Sequence, residues 1–203
     1  MAQAFLFKES ASQTAGPYVH IGCTPNFVGI SGVYAADSGL RMLSDGTKGE
    51  RIRIHGRIFD GANDIVKDGL VEIWQADAEG LYNSPNETRG AADPEFVGWG
   101  RQPTDLETGH FAFDTIKPGC VPASDGRMQA PHISLWVVAR GINLGLSTRL
   151  YFADEPDANS ADPVLTGIAD PARRETLIAV RKGDSYLFDI HLQGALETVF
   201  FDV

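Results

Sequence analysis

The sequence predicts an all-β fold, an antiparallel β-sandwich with long covering loops and a few short helices, and three observations predict it. Eleven Pro and 22 Gly cut the chain into short apolar runs. Many of those runs alternate apolar and polar residues with period two, the spacing of a strand with one buried face. Helical signals are confined to about residues 160–180.

The first strand is expected at Arg51–Phe59, where Ile52, Ile54 and Ile58 share one face and Arg51, Arg53, His55 and Arg57 the other. Gly61-Ala62-Asn63-Asp64 then reads as a turn and Leu70–Gln75 as the next strand. Further strands are expected at Phe111–Thr115, Ile133–Val138, Tyr186–Leu192 and Thr198–Phe201, each bounded by Gly, Pro or Asp. Asp162-Pro163 and Asp170-Pro171 each set a capping acid before a proline suited to a first helical turn, so short rim helices are expected there. Cys23–Gly49 and Tyr82–Pro103 carry no period and read as long ordered loops of the kind that cover sites or interfaces.

The chain has 203 residues, 43% of them hydrophobic, with no break in composition, which predicts a single domain over 1–203. A net charge of −10 with scattered basic residues argues against nucleic acid or an anionic membrane as partner. The longest uncharged apolar run falls short of the roughly 20 residues that span a bilayer, and Met1–Phe5 lacks a basic stretch before an apolar block, so an untargeted cytoplasmic protein is expected. Cys23 and Cys120 are outside any CxxC pair and read as reduced thiols. Trp74, Trp99 and Trp136 read as core or interface aromatics, because no basic groove accompanies them. His55, His110 and His191 are expected at the surface, His20 at a subunit contact, and the Asn86-Glu87-Thr88 sequon is read as incidental.

No Ser/His/Asp elbow, phosphate-cradling glycine loop or dense His/Cys cluster is present in the sequence. One constellation stands out: His132 enters the apolar strand Pro131-His132-Ile133-Ser134-Leu135-Trp136 just after Lys117-Pro118-Gly119-Cys120-Val121-Pro122. A histidine there can ligate a metal or pack as a hydrogen-bonded strand residue.

Several stretches taken together resemble the intradiol catechol dioxygenase family. They are Thr14-Ala15-Gly16-Pro17-Tyr18, Val71-Glu72-Ile73-Trp74-Gln75-Ala76-Asp77, Gly109 with Phe111, Thr115-Ile116-Lys117-Pro118-Gly119, Pro131-His132-Ile133 and Thr148-Arg149-Leu150-Tyr151-Phe152, spread in order along nearly the whole chain. In catalytic members the resemblance implies a ferric ion held by two tyrosines and two histidines, hard phenolate oxygens suiting Fe(III). Here one tyrosine position is kept as Tyr82 and one histidine position as His132, while the others are Val121 and Ser134. With two of four ligands replaced, the resemblance implies vestigial positions and no metal in this chain.

Ala139-Arg140-Gly141-Ile142-Asn143 and Glu197–Asp202 resemble, more narrowly, the iron-free α-type chain of a two-chain member. That implies a partner β subunit carrying Fe(III), a small aromatic substrate, 3,4-dihydroxybenzoate, cleaved with O2 between its hydroxyls, and a higher αβ oligomer. The implied substrate-pocket residues are Thr14, Gly16, Pro17, Tyr18 and Arg140, with 1–50 as an arm and loops on the partner and 51–203 as the sandwich core. Gly-Pro bares and bends the backbone, and Arg140 either draws in the substrate carboxylate or forms a surface ion pair. Two rival classes remain open: a self-sufficient metal enzyme recruiting His20 or Asp77, and a stand-alone sandwich module binding aromatic or sugar ligands without catalysis.

Overall fold

The computed structural model describes residues 14–143 and 145–202, so the first 13 residues of the expected arm lie outside the described residues. Strands dominate, and the helices are short, as expected. The strands are β1 (Arg51–Phe59), β2 (Leu70–Trp74), β3 (Trp99–Pro103), β4 (His110–Ile116), β5 (Val121–Pro122), β6 (Met128–Gln129), β7 (His132–Val138), β8 (Leu146–Phe152), β9 (Ile178–Lys182), β10 (Ser185–Leu187) and β11 (Ile190–His191). The helices are α1 (Pro17–Cys23), α2 (Pro156–Ala161), α3 (Pro163–Gly167) and α4 (Pro171–Glu175).

Eight of these strands run in the order β11-β1-β10-β9-β8-β7-β2-β3, β4 pairs with β1 off this path, and β5–β6 form a separate ribbon. The expectation of antiparallel pairing is corrected at three places, since β1–β10, β1–β11 and β8–β9 are parallel and the sheet is mixed. Ile54 of β1, Phe113 of β4, Ile73 of β2, Leu135 of β7 and Phe152 of β8 are buried in one apolar cluster. Strands far apart in the sheet order therefore share a core, and the sheet must curl to bring them there.

Period two explains the inward faces. β1 alternates exposed and buried along its length, with the Ile52/Ile54/Ile58 face inside. In β7, Ile133, Leu135 and Val137 are buried, which turns His132, Ser134 and Trp136 to the opposite face. A buried polar clasp closes the core beside β2 and β4. Gln75 Nε2 donates to the Ile116 carbonyl at 2.9 Å, and Thr115 Oγ1 donates to Gln75 Oε1 at 2.8 Å, so the amide is satisfied on both sides.

Both predicted acid caps form. The Asp162 side chain accepts from the Val164 and Leu165 amides at the start of α3, and Asp170 accepts from Ala172 at the start of α4. Asp162 is fully buried and also accepts from Ala130 N at 2.8 Å and from the Tyr151 hydroxyl at 3.3 Å. One carboxylate thus ties α3 to the β6–β7 connection and to β8. Among the described residues, no helix is long and apolar enough to cross a membrane.

Candidate functional site

Of the predicted pocket residues, Gly16 and Arg140 line one cavity, and Thr14 bonds to Gly141 beside Arg140. Gly16 is extended and caps α1, and Pro17 follows in the first helical turn, where its missing amide costs nothing. Thr14 Oγ1 accepts a hydrogen bond from Gly141 N at 2.8 Å, which fastens the arm to the turn after β7. Gly141 has φ +88°, a left-handed conformation that favours glycine and that aims this amide at the arm. Arg140 is 78% exposed in its side chain, and its Nε lies 3.1 Å from Asp68 Oδ2.

Between arm and turn is a cavity of about 430 Å³, lined by Gly16, His20, Ile21, Asp68, Leu106 and Arg140 among others. His20 is buried, and its Nε2 lies 3.1 Å from the Asp68 carbonyl; a carbonyl only accepts, so Nε2 carries the proton. Its buried Nδ1 has no partner among the described residues. Tyr18, expected in this group, is 83% exposed and is not part of the cavity wall. The arrangement is an apolar hollow with one guanidinium at its edge, able to hold a flat ligand by its anionic end.

The four positions expected to be vestigial, Tyr82, Val121, His132 and Ser134, converge on a further residue, Arg149, whose motif was noted without a role. Across the β2–β7–β8 ladder, Trp74 pairs with Ser134 and Ser134 with Arg149. The Tyr82 ring stacks on Trp74, centroids 5.8 Å apart and planes 8° apart. Val121 is buried and pairs with Gln129, whose Oε1 accepts from Arg149 Nη1 at 2.7 Å. His132 is buried against Tyr151, and the Tyr151 hydroxyl accepts from the same Nη1 at 3.3 Å. Strand alternation held the signal: Arg149 and Tyr151 share the face of β8 that meets His132 and Ser134 of β7.

The electrostatics follow from burial and this cation. Burial pushes the Tyr82 phenol above its ordinary value, with Arg149 and Arg89 pulling it down. Burial, then the charge of Arg149, lowers the His132 imidazole to about 4, so it is neutral near pH 7. Its Nδ1 lies 2.8 Å from the Ala130 carbonyl and therefore carries the proton. The loop holding Tyr82 is fixed by Asp77, whose carboxylate accepts from the amides of Glu79, Leu81 and Asp93. Gly80, at φ +80°, lies so close to the Cys120 carbonyl that a Cβ would sit 2.1 Å from it, so the loops carrying Tyr82 and Val121 approach this closely only through glycine.

This donor set does not fit a ferric ion. Val121 offers no donor atom, Ser134 offers a neutral hydroxyl, and Arg149 brings a permanent positive charge among them. Asp77, one residue of the rival metal set, spends its carboxylate on backbone amides. His20 is 48 residues from its carbonyl partner in sequence and shares a cavity with Arg140 instead of with Asp77.

Comparison with known proteins identifies the family. Residues 23–194 match the family model described as Dioxygenase. The chain is 43% identical over 201 residues to the protocatechuate 3,4-dioxygenase alpha chain of Pseudomonas putida, covering 97% of this chain and 98% of that one. It is 35% identical over 156 residues to the protocatechuate 3,4-dioxygenase beta chain of Burkholderia cepacia, covering 72% of this chain and 66% of that one. Among solved structures, the dioxygenase domain of a carbohydrate-binding fusion protein from Streptomyces sp. SirexAA-E superposes with a TM-score of 0.55 at 27% identity, covering 81% of this chain and 95% of that domain. A family model matched over 23–194 and a relative 43% identical over 97% of this chain leave one assignment: the chain belongs to the intradiol dioxygenase family.

Proposed function

We propose that this chain is the iron-free, alpha-type subunit of a protocatechuate 3,4-dioxygenase, completing the active site of an iron-bearing beta subunit that cleaves 3,4-dihydroxybenzoate with O2 to 3-carboxy-cis,cis-muconate. The observation that carries the reading is the hollow between arm and turn, where Arg140 and Gly16 share one cavity. When bound by the partner, Fe(III) supplies the chemistry at the catechol oxygens and O2. The residues of this chain orient the substrate. Asp68 engages Arg140 Nε and leaves both Nη groups as donors for the substrate carboxylate. Gly16 and Pro17 give a bent backbone wall without a bulky Cβ at Gly16, Thr14 fastens that wall to Gly141, and the exposed Tyr18 points its ring toward a partner.

In this reading 1–203 is a single sandwich domain, 51–203 its core, and 1–50 the arm and loops that contact the beta subunit. Exposed apolar residues in that segment and beside it, Ile21, Phe27, Val33, Tyr34 and Leu106, support a partner-facing surface. Pairs of alpha and beta chains then assemble by symmetry into a higher oligomer in the cytoplasm.

Co-expression with the beta subunit tests the reading. The pair should contain iron, absorb in the visible and consume oxygen on 3,4-dihydroxybenzoate, while this chain purified alone should be colourless and inactive. Iron and turnover in the isolated chain would overturn it. Within the pair, Arg140→Gln should raise KM for 3,4-dihydroxybenzoate about 10- to 100-fold, the worth of one charge-assisted contact, and change KM for catechol, which lacks the carboxylate, by less than about threefold. Equal effects on both substrates would remove Arg140 from carboxylate recognition.

A further inference from the structure

Arg149 also faces a second hollow, of about 370 Å³, whose walls include Trp74, Trp99, Trp136 and Phe201. Trp74, Trp99 and Trp136 are all the tryptophans of the chain. The half-buried guanidinium donates from Nη1 to Gln129 Oε1 at 2.7 Å and to the Tyr151 hydroxyl at 3.3 Å, both neutral acceptors. Among the described residues no carboxylate lies within ion-pair distance of it, and neither Nε nor Nη2 has an acceptor. Of the two acidic residues on the wall, Glu72 is engaged by Arg101 Nε at 2.7 Å, and Asp202 is exposed at the rim.

We infer that this hollow is a metal-free binding site for a flat aromatic carboxylate. The cationic centre of the hollow is the Arg149 guanidinium, paired across the ladder with Ser134, and its spare donors suit the two oxygens of a carboxylate. The hydroxyls of Ser134 and Ser147 are on the same wall and can complete the anion's hydrogen bonds. The indoles supply flat apolar faces for an aromatic ring, and the volume falls within the roughly 300–1,000 Å³ of small-molecule sites. A neutral ring gains the aromatic contacts and leaves the guanidinium unpaired, so charge decides the ligand class.

Calorimetric titration of benzoate into the full chain, co-expressed with its beta-type partner, tests the site. Benzoate should bind, and Arg149→Gln should abolish one benzoate per copy of this chain or weaken it at least tenfold. Benzyl alcohol, of similar shape and without charge, should bind that site at least tenfold more weakly. Ser134→Leu, which fills the hollow while keeping the bonds of Arg149 to Gln129 and Tyr151, should give the same loss and serves if Arg149→Gln does not fold. Arg140→Gln should leave this site unchanged, so failure of the substrate-orienting role of Arg140 and failure of the Arg149 site are read separately. No benzoate uptake by the wild type, or the same stoichiometry and affinity in the wild type and both cavity variants, overturns the inference.

Discussion

Asp162→Ala should destabilise the fold by roughly 3–5 kcal/mol, the range for removing one side of a buried charged hydrogen-bond network. The wild-type carboxylate is fully buried and accepts from three backbone amides, those of Ala130, Val164 and Leu165, and from the Tyr151 hydroxyl. Loss of the cap on α3 alone is worth about 0.5–2 kcal/mol. The rest comes from Ala130 N and the Tyr151 hydroxyl, which lose their acceptor in the interior. Asp162→Asn keeps one acceptor oxygen for the cap but presents an NH2 group where Ala130 N needs an acceptor, so it should fall between. The shift in urea midpoint at constant slope measures both, and a loss below about 1 kcal/mol for Asp162→Ala would refute the network role.

Acidification should cost the fold about 3 kcal/mol through His132 alone. Its folded value is lowered to about 4 from an ordinary 6.5, chiefly by burial and next by the charge of Arg149. The unfolded chain therefore takes up a proton that the folded chain refuses. The contribution is complete above pH 6.5, declines as pH falls through the window from 6.5 to 4, and is gone below it. Asp154 and Glu87, each lowered to about 2 by their hydrogen bonds to cations, act in a separate window below the ordinary carboxylate range. Urea midpoints taken between pH 7 and pH 4 should slope downward in the wild type and flatten in His132→Gln. The same slope in both would show that His132 is not the group responsible.

The strand pattern was readable in β1, β4 and β7, where one face is buried and the other is wetter, whereas β8 and β9 were not expected as strands. β1 has the expected bounds, β4 extends one residue beyond expectation at each end, and β7 starts one residue earlier. The stretch expected as one strand over Tyr186–Leu192 is instead β10 and β11, because the carboxylate of Asp189 replaces a ladder partner by accepting from Arg57 N at 2.9 Å. Thr198–Phe201 makes one isolated bridge, Phe201 to Ser147, and Thr198 spends its hydroxyl on His191 N. β3, expected as loop, has the sequence Trp99-Gly100-Arg101-Gln102-Pro103 with no β-branched residue; pairing with β2 makes it a strand. α1 was missed because Gly16-Pro17 signals a bend as readily as a helix start.

For the site, family resemblance supplied the positions, and the fold supplied their relations. Gly16 and Arg140 are distant in sequence, and only the tertiary structure brings them to one hollow. The role of Arg149 depends on which strands flank β8, a fact of pairing order that no local pattern contains. Asp68, the ion-pair partner of Arg140, likewise follows a turn and carries no periodic signal.

The parallel pairing of β1 has a consequence for how the chain is made. One edge of β1 is met by β4, but the other waits for β10 and β11, with Arg57 and its partner Asp189 separated by 132 residues. A nascent chain emerging from the ribosome exposes an unpaired, half-apolar strand edge until nearly all of it has been synthesised. Closing so long a loop is slow. Synthesis that stops before Ser185 leaves that edge open for good, which makes the C-terminal segment the folding lock of the molecule.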